Sequence, residues 1–425
     1  MSDGLAASLE PVFARIRNQK VAAVNELIRW CDQNSWSLDV VALREMATML
    51  VDDFGAAGIR LERTDLPELK LLDDTEAWRR QPTGPLLQWH HNPNARRRVL
   101  LMIHYDTVYP ASAGPNRCVR SSMRMNPSGG EVDSPIDALI GPGTADAKGG
   151  IAVIKLATEA ILSSGLVNDI GISIVLNPDE EIGTTASGET LRAMAGSYEQ
   201  ALVFEPTLPD GSLVANRKGS GNFVFVVRGR SAHAGRNPEQ GRNAIVHLAS
   251  LIPDLTQMHD PTAGVTVNVG RIVGGGPLNQ VPDHAAVQLN IRVNDQAARH
   301  RAEHALADIA RRFCRDEYQV TLQGEFHSPP KRVDGAIQRV QRAVERAAAF
   351  SGRTVRWADT GGACDGSKLA DWGLPNVDTM GVAGGGLHSP DEFCDLDAIV
   401  PAAATVAAFL AGFAEDDSTG DPVGG

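Results

Sequence analysis

Apolar positions along the chain recur with two different periods. Residues 5–33 and 37–58 carry them at helical spacing, and SLDVVALREMATMLVDDFGAAG opens on Ser37 as a cap and closes at Gly58, so two amphipathic helices are predicted. PLLQWHHN and RRVLLMIHYD read as strands with NPNA as the turn between them, a hairpin or a neighbouring pair. Residues 111–145 are rich in Pro, Gly and Ser, hold no period, and read as a long loop. KGGIAVIKLATEAILSSG then reads as a helix, GISIVLN as a strand, residues 187–195 as a short helix, and ALVFEP as a strand. Near-continuous apolar strands alternating with helices predict an α/β domain with a largely parallel sheet and helices on both faces.

The pattern changes near Gly219. GNFVFVVRG, NAIVHLASLIPDL, GVTVNVGRIVGG, AAVQLNIRV, AARHRAEHALADIARRFC and QVTLQGEF follow as strand, helix, strand, strand, helix, strand. That βαββαβ order is the ferredoxin-like motif of an α+β domain. From about Pro329 the helix and strand alternation resumes and would complete the first sheet. The expected organisation is a discontinuous first domain, 1–217 and 328–425, with 218–327 inserted. The tail from about residue 415, EDDSTGDPVGG, is expected to be disordered.

Composition narrows this picture without redirecting it. At 425 residues, with 43% hydrophobic and 22% charged residues, the chain is of ordinary globular composition and long enough for two or three domains. Forty basic against fifty-two acidic residues, net charge -12, argue against a nucleic-acid surface, so an anionic substrate needs a local basic pocket. No uninterrupted apolar run of membrane length and no signal-like start are read, so a cytoplasmic protein without a membrane partner is expected. The five cysteines, Cys31, Cys118, Cys314, Cys364 and Cys394, are scattered and read as free thiols.

Candidate chemistry starts from NPDEEIGT, where three acids follow a core strand. Alone, such a cluster is an ordinary solvated turn. Its company changes the reading: His104 and Asp106 in LLMIHYDTVYP, Asp146 in GPGTADAKGG, Glu205 in ALVFEP and His388 in GGGLHSPDEF each sit at the carboxyl end of an apolar strand or in the Gly-rich loop leaving it. In open α/β sheets that edge is where ligands bind. Two His and several carboxylates without a thiolate suit zinc or another first-row divalent ion. His90, His91, His247 and His259 lie at no such loop and read as surface or packing residues.

HYDTVYP, GTADAKGG, DEEIGT, FEP, SAHAG and GGGLHSPDEF resemble, in this order, the signature segments of the di-zinc exopeptidase family that contains bacterial glutamate carboxypeptidase, aminoacylase, acetylornithine deacetylase and succinyl-diaminopimelate desuccinylase. The resemblance runs from Leu100 onward, and SAHAGRNPEQGRNAI is most similar to the glutamate carboxypeptidase branch. It implies two Zn2+ ions, with Co2+ or Mn2+ as alternatives, bridged by Asp146, with His104 and Glu205 completing one site and Glu181 and His388 the other. Glu180 is then the general acid/base, Asp106 a supporting carboxylate, and the Asp146–Ala147 peptide is expected to be cis. His233 in the insert is implied to stabilise the oxyanion in the partner subunit's site, making the insert a dimerisation and lid domain. Asn279 and Arg292 are implied to hold the substrate carboxylate. The loop TGGACDGSKL offers the amides of Gly361 and Gly362, to bind either the same carboxylate or the scissile carbonyl. Cys364 stands where relatives often have Ser or Thr.

These readings imply a metal-dependent hydrolase that cleaves the amide bond to an amino acid with a free carboxylate, the substrate being an N-acyl amino acid or short peptide and the assembly a homodimer. An aminopeptidase or dipeptidase on the same metals is the near alternative, against which Glu205 leans by resemblance. A peptide-binding protein that has lost hydrolysis is the alternative of another class. A two-metal phosphatase or nuclease lacks a phosphate cradle or basic groove.

Overall fold

The computed structural model describes residues 3–72, 78–113, 117–125, 131–315 and 317–418. They form two compact units: residues 1–215, 333–358 and 364–425 belong to one, and 216–332 with 359–363 to the other. The short segment 359–363, expected in the first domain, belongs to the smaller unit.

The larger unit holds a six-stranded sheet in the order Glu62–Thr64, Leu86–His91, Gly171–Asn177, Arg98–His104, Gln200–Val203, Asn376–Val377. The last four strands are mutually parallel, and the first three pair antiparallel, so the sheet is mixed. The expected hairpin is absent: Gly171–Asn177 lies between Leu86–His91 and Arg98–His104, a non-local pairing that no local pattern encodes. Alternate residues of Arg98–His104 enter different cores, because successive side chains of a strand point to opposite faces. Val99, Leu101 and Ile103 join the main core, and Leu100 and Met102 a second one with Leu191, Ala195 and Leu369 from two short helices. Burial on both faces explains the unbroken apolar run.

Helices Asp3–Asp32, Lys148–Leu162, Gly335–Phe350 and Ile399–Ser418 pack with one another around the main core. The segment Leu396–Glu415 has the length and composition to cross a bilayer, but most of it is buried inside the protein, as in the core helix of a folded domain. The last helix continues to Ser418, beyond the expected start of the tail, and residues 419–425 lie outside those described. The helix Val40–Ala56 is capped by the Asp39 carboxylate, which accepts from the amides of Val41 and Ala42, and not by Ser37. Within the expected loop 111–145, strands Val119–Met125 and Glu131–Ile140 pair antiparallel, and the second also pairs with Phe393–Asp395. Their alternation is too weak to be read locally.

The smaller unit is a four-stranded antiparallel sheet in the order Val265–Gly274, His284–Val293, Gly219–Arg228, Gln319–Ser328, with helices Ala244–Gln257 and Gln296–Phe313. Numbered along the chain the sheet order is 2-3-1-4, the ferredoxin-like arrangement. Its core takes Phe223, Phe225 and Val227 from the first strand, Val287, Leu289 and Ile291 from the third, and Leu248, Leu251, Leu306 and Ile309 from the helices. The period-2 strands and period-3.6 helices present these faces to one another.

Candidate metal and catalytic site

Three parallel neighbours of the large sheet end at one edge. His104 is the last residue of its strand, in register with Asn177, and Glu205 follows the Gln200–Val203 strand. Beyond Asn177 the chain turns through a 3-10 turn, Glu180–Ile182, closed by Gly183 at φ 92°, a left-handed conformation that glycine adopts without strain. Asp146 lies immediately before helix Lys148–Leu162, and the Asp146–Ala147 peptide is cis. Gly150 lets that helix approach the sheet, since a Cβ there would run into the carbonyl oxygen of Phe204. His388 stands in the turn between short strands Gly384–Gly385 and Phe393–Asp395.

The two carboxylate oxygens of Asp146 face two different histidines. Oδ1 lies 3.0 Å from His104 Nε2, and Oδ2 lies 3.4 Å from His388 Nε2. Each histidine faces a second carboxylate on the same nitrogen, Glu205 at 3.8 Å from His104 and Glu181 at 3.2 Å from His388. Donor atoms of His104, Asp146 and Glu181 lie within 4.8 Å of one another. The set is all nitrogen and oxygen, centred on one carboxylate with a histidine on either side, and it fits a pair of first-row divalent cations. His104, Asp146 and Glu205 are buried, whereas the His388 side chain is 56% exposed.

Burial and crowded charge together perturb Glu180, Glu181, Asp146 and the two histidines. Hydrogen bonds that His388 donates to Asp146 and Glu181 push it up to about 11. Burial lowers His104, but Asp106, Asp146 and Glu205 outweigh it and leave the imidazole well above its ordinary value. Burial also opposes ionisation of Asp146, yet His104 and His388 hold its carboxyl below the usual range. Burial and then the Asp146 charge raise Glu181 to about 7, and burial followed by the charges of Asp365 and Glu205 raises Glu180 well above the carboxylate range. Carboxylates and imidazoles gathered this closely are what a multivalent cation neutralises.

Asp106 ties this arrangement together. Fully buried, it faces His104 Nδ1 with Oδ1 at 3.3 Å, and the same ring nitrogen lies 3.0 Å from the Asp106 carbonyl oxygen. Its oxygens also accept from the amides of Glu180 and Glu181, each at 3.2 Å, and from Ser37 Oγ at 2.7 Å. One carboxylate therefore orients both a histidine and the turn bearing the two glutamates.

Asp179 is buried and fixes the loop: it accepts from the amides of Ala186 and Ser187 and from the Ser187 hydroxyl. At the other end of the turn, Lys368 Nζ donates to the Gly183 carbonyl at 3.0 Å and to Asp365 at 2.8 Å, and Asn177 donates to Asp365 at 2.8 Å. The Thr184 hydroxyl also donates to Asp365. Asp365, Lys368 and Ser37 escaped sequence reading because an acid, a lysine or a serine in a polar segment carries no signature of burial. His90 is bonded to Ser173, and His247, in the smaller unit, stacks on Tyr318.

The remaining predicted residues all belong to the smaller unit. His233 is exposed on a two-residue strand paired with Gln280–Val281, and the Ala234 amide donates to the Asn279 carbonyl at 2.9 Å, so the His233 and Asn279 loops are joined. The Gly235 amide donates to His233 Nδ1 at 3.0 Å, which leaves the proton of a neutral ring on Nε2. Arg292 donates to the Gly361 carbonyl, and Arg217 donates to the Gly362 carbonyl at 3.1 Å. The Gly362 amide is engaged by Thr360 Oγ1 at 3.3 Å.

Comparison with known proteins agrees with this picture. Carboxypeptidase G2 of Pseudomonas sp. is 29% identical over 307 residues, 71% of each chain. Succinyl-diaminopimelate desuccinylase of Methylorubrum extorquens is 29% identical over 377 residues, 82% of this chain and 89% of that one. Among solved structures, the M20 family metallo-carboxypeptidase Sso-CP2 of Sulfolobus solfataricus superposes with a TM-score of 0.69 at 17% identity, covering 92% and 99% of the two chains. Aminopeptidase PepT of Bacillus cereus gives 0.66 at 21% identity, covering 93% and 99%; at such identities the likeness is one of fold. The profile described as peptidase family M20/M25/M40 matches residues 100–412, from the His104 strand to the last helix, and the chain belongs to that family of metal-dependent hydrolases.

Proposed function

We propose that this metallo-hydrolase cleaves the amide bond to an amino acid with a free carboxylate, in the manner of a carboxypeptidase or an N-acyl-amino-acid deacylase. The observation that carries the reading is Asp146, whose two oxygens face two histidines, each accompanied by its own glutamate. His104, Asp146 and Glu205 would hold one divalent cation, and Asp146, Glu181 and His388 the other, with Zn2+ favoured by the donor set and Co2+ or Mn2+ as alternatives. When bound, such a pair supplies Lewis acidity and a water acidified toward a pKa of about 7.

Glu180 takes the proton of the attacking water and returns it to the leaving amine. Asp106 keeps Glu180 and His104 in place. His233, with its proton on Nε2, serves as a donor to the developing oxyanion in the partner subunit's site, and Asn279 and Arg292, with the Gly361 amide, bind the substrate carboxylate, for which the planar guanidinium is suited. The names of the curated relatives, carboxypeptidase G2 and succinyl-diaminopimelate desuccinylase, support a substrate with a free carboxylate over the aminopeptidase alternative.

The assembly we read is a homodimer through the smaller unit. Ile245 and Val246 on its first helix and Ile272 on its edge strand Val265–Gly274 are exposed, and a second copy pairing along that edge would cover them.

The direct test is a screen of N-acyl and peptidyl derivatives of glutamate, aspartate and neutral amino acids beside free dipeptides, with and without chelator. Chelator-sensitive cleavage of the N-blocked substrates, abolished in Glu180→Gln with metal content retained, is the expected result. Cleavage of free dipeptides alone points to the aminopeptidase alternative, and no cleavage of either class to a binding protein.

A further inference from the structure

Glu392 lies four residues beyond His388, in the same turn before strand Phe393–Asp395. Its carboxylate is 2% exposed and accepts hydrogen bonds from three backbone amides of one loop: Gly143 at 3.1 Å, Ala145 at 2.9 Å and Asp146 at 3.0 Å. The Gly141 amide adds a fourth tie to the same residue by donating to the Glu392 carbonyl at 2.7 Å. The loop so held delivers Asp146, and the segment that holds it carries His388, whose own carbonyl accepts from the Tyr109 hydroxyl.

Those bonds explain why a charged group stands there. An ionised carboxylate only accepts, and two oxygens can serve three converging N–H donors. An amide would present an NH2 to at least one of those donors, and an apolar side chain would leave all three unpaired in a buried place. The spacing of Asp146 from His388 is therefore set by a third side chain that faces neither of them as a ligand.

Resting on the di-metal reading above, we propose that Glu392 is a positioning residue for the metal centre: it locks the Asp146 loop to the His388 turn and so fixes the separation of the two halves of the site. Without its carboxylate the amides of Gly143, Ala145 and Asp146 lose their acceptor, the two segments stay joined through the Gly141 amide and the pairing of Phe393–Asp395 with Glu131–Ile140, and cation binding must first order the Asp146 loop. The consequence is a loss of metal affinity and an altered coordination geometry, with the catalytic glutamate and its turn untouched.

The test titrates the metal-free full-length chain with Co2+, following heat and the visible d–d absorption, for the unaltered protein, Glu392→Gln, Glu392→Asp and Glu180→Gln. The unaltered protein and Glu180→Gln should bind two Co2+ per chain with the same spectrum. Glu392→Gln should bind at least one Co2+ ten-fold or more weakly with a shifted absorption band, and hydrolysis should recover toward the unaltered rate at saturating Co2+. Glu392→Asp, which keeps the charge but withdraws it by one methylene, should fall between them, and it carries the test should Glu392→Gln not fold. Glu392 variants with unaltered affinity and spectrum overturn the positioning role alone. Failure of the unaltered chain to bind Co2+ overturns the di-metal reading and this inference with it.

Discussion

At Asp106, four contacts converge on one buried carboxylate: the His104 ring, the amides of Glu180 and Glu181, and the Ser37 hydroxyl. Replacing Asp106 by Ala should therefore lower kcat and metal affinity together, whereas Glu180→Gln should lower kcat by about 10²–10⁴-fold with metal content unchanged. His233→Ala should lower kcat by about 10²–10³-fold with little change in KM if its Nε2 donates to the oxyanion. The thiols offer a check independent of activity. Burial and then Asp32 push Cys118 up to about 12, so at pH 8 only about 10⁻⁴ of it is thiolate. Burial likewise raises Cys31 and Cys394, and Cys364 is buried, leaving Cys314 as the exposed thiol. A thiol reagent at pH 8 should titrate one fast group per native chain and five after unfolding; two or more fast groups would contradict the structure.

At the scale of elements, the Glu180–Ile182 turn is held from both ends. Asp179 takes the amides of Ala186 and Ser187, and Lys368 takes the Gly183 carbonyl while pairing with Asp365. The Lys368–Asp365 pair is buried, so Lys368→Met leaves a carboxylate without its cation and should cost about 3–5 kcal/mol of stability, read as a lower denaturant midpoint. The double variant Lys368→Met with Asp365→Leu should recover part of that loss, because the stranded charge is removed with its partner. Recovery of stability without recovery of turnover would separate packing from the positioning of Glu180.

At the scale of the whole molecule, a cation that binds only the folded chain must stabilise it. At a free concentration of 100 times Kd the gain is about 2.7 kcal/mol per site, so chelation should lower Tm and added Zn2+ should restore it. Association is read separately: light scattering should give twice the chain mass, and charges at Ile245 and Ile272 together should give monomers with the metal content unchanged.

What the sequence determined by itself is whatever is local or periodic. The helices followed from 3.6-residue spacing, the buried strands from unbroken apolar runs, and the ferredoxin-like insert from its order of elements. Of the proposed ligands, His104 and Glu205 were legible at strand ends of the six-stranded sheet, whereas Asp146 and His388 lie in loops outside it and Glu181 in a turn, and these were named by the resemblance of GTADAKGG, GGGLHSPDEF and DEEIGT. Tertiary structure alone decided what depends on residues distant along the chain. It placed Gly171–Asn177 between two strands that local pattern had paired, and it turned part of a formless loop into strands by giving Glu131–Ile140 a partner at Phe393–Asp395. It also separated acids that look alike in sequence. Asp179, Asp365 and Glu392 each stand in a polar segment that carries no signature of burial, yet each is buried among donors contributed in part by other segments. The donors that make a buried carboxylate tolerable come from the fold, and the residue's own neighbours in sequence do not reveal them.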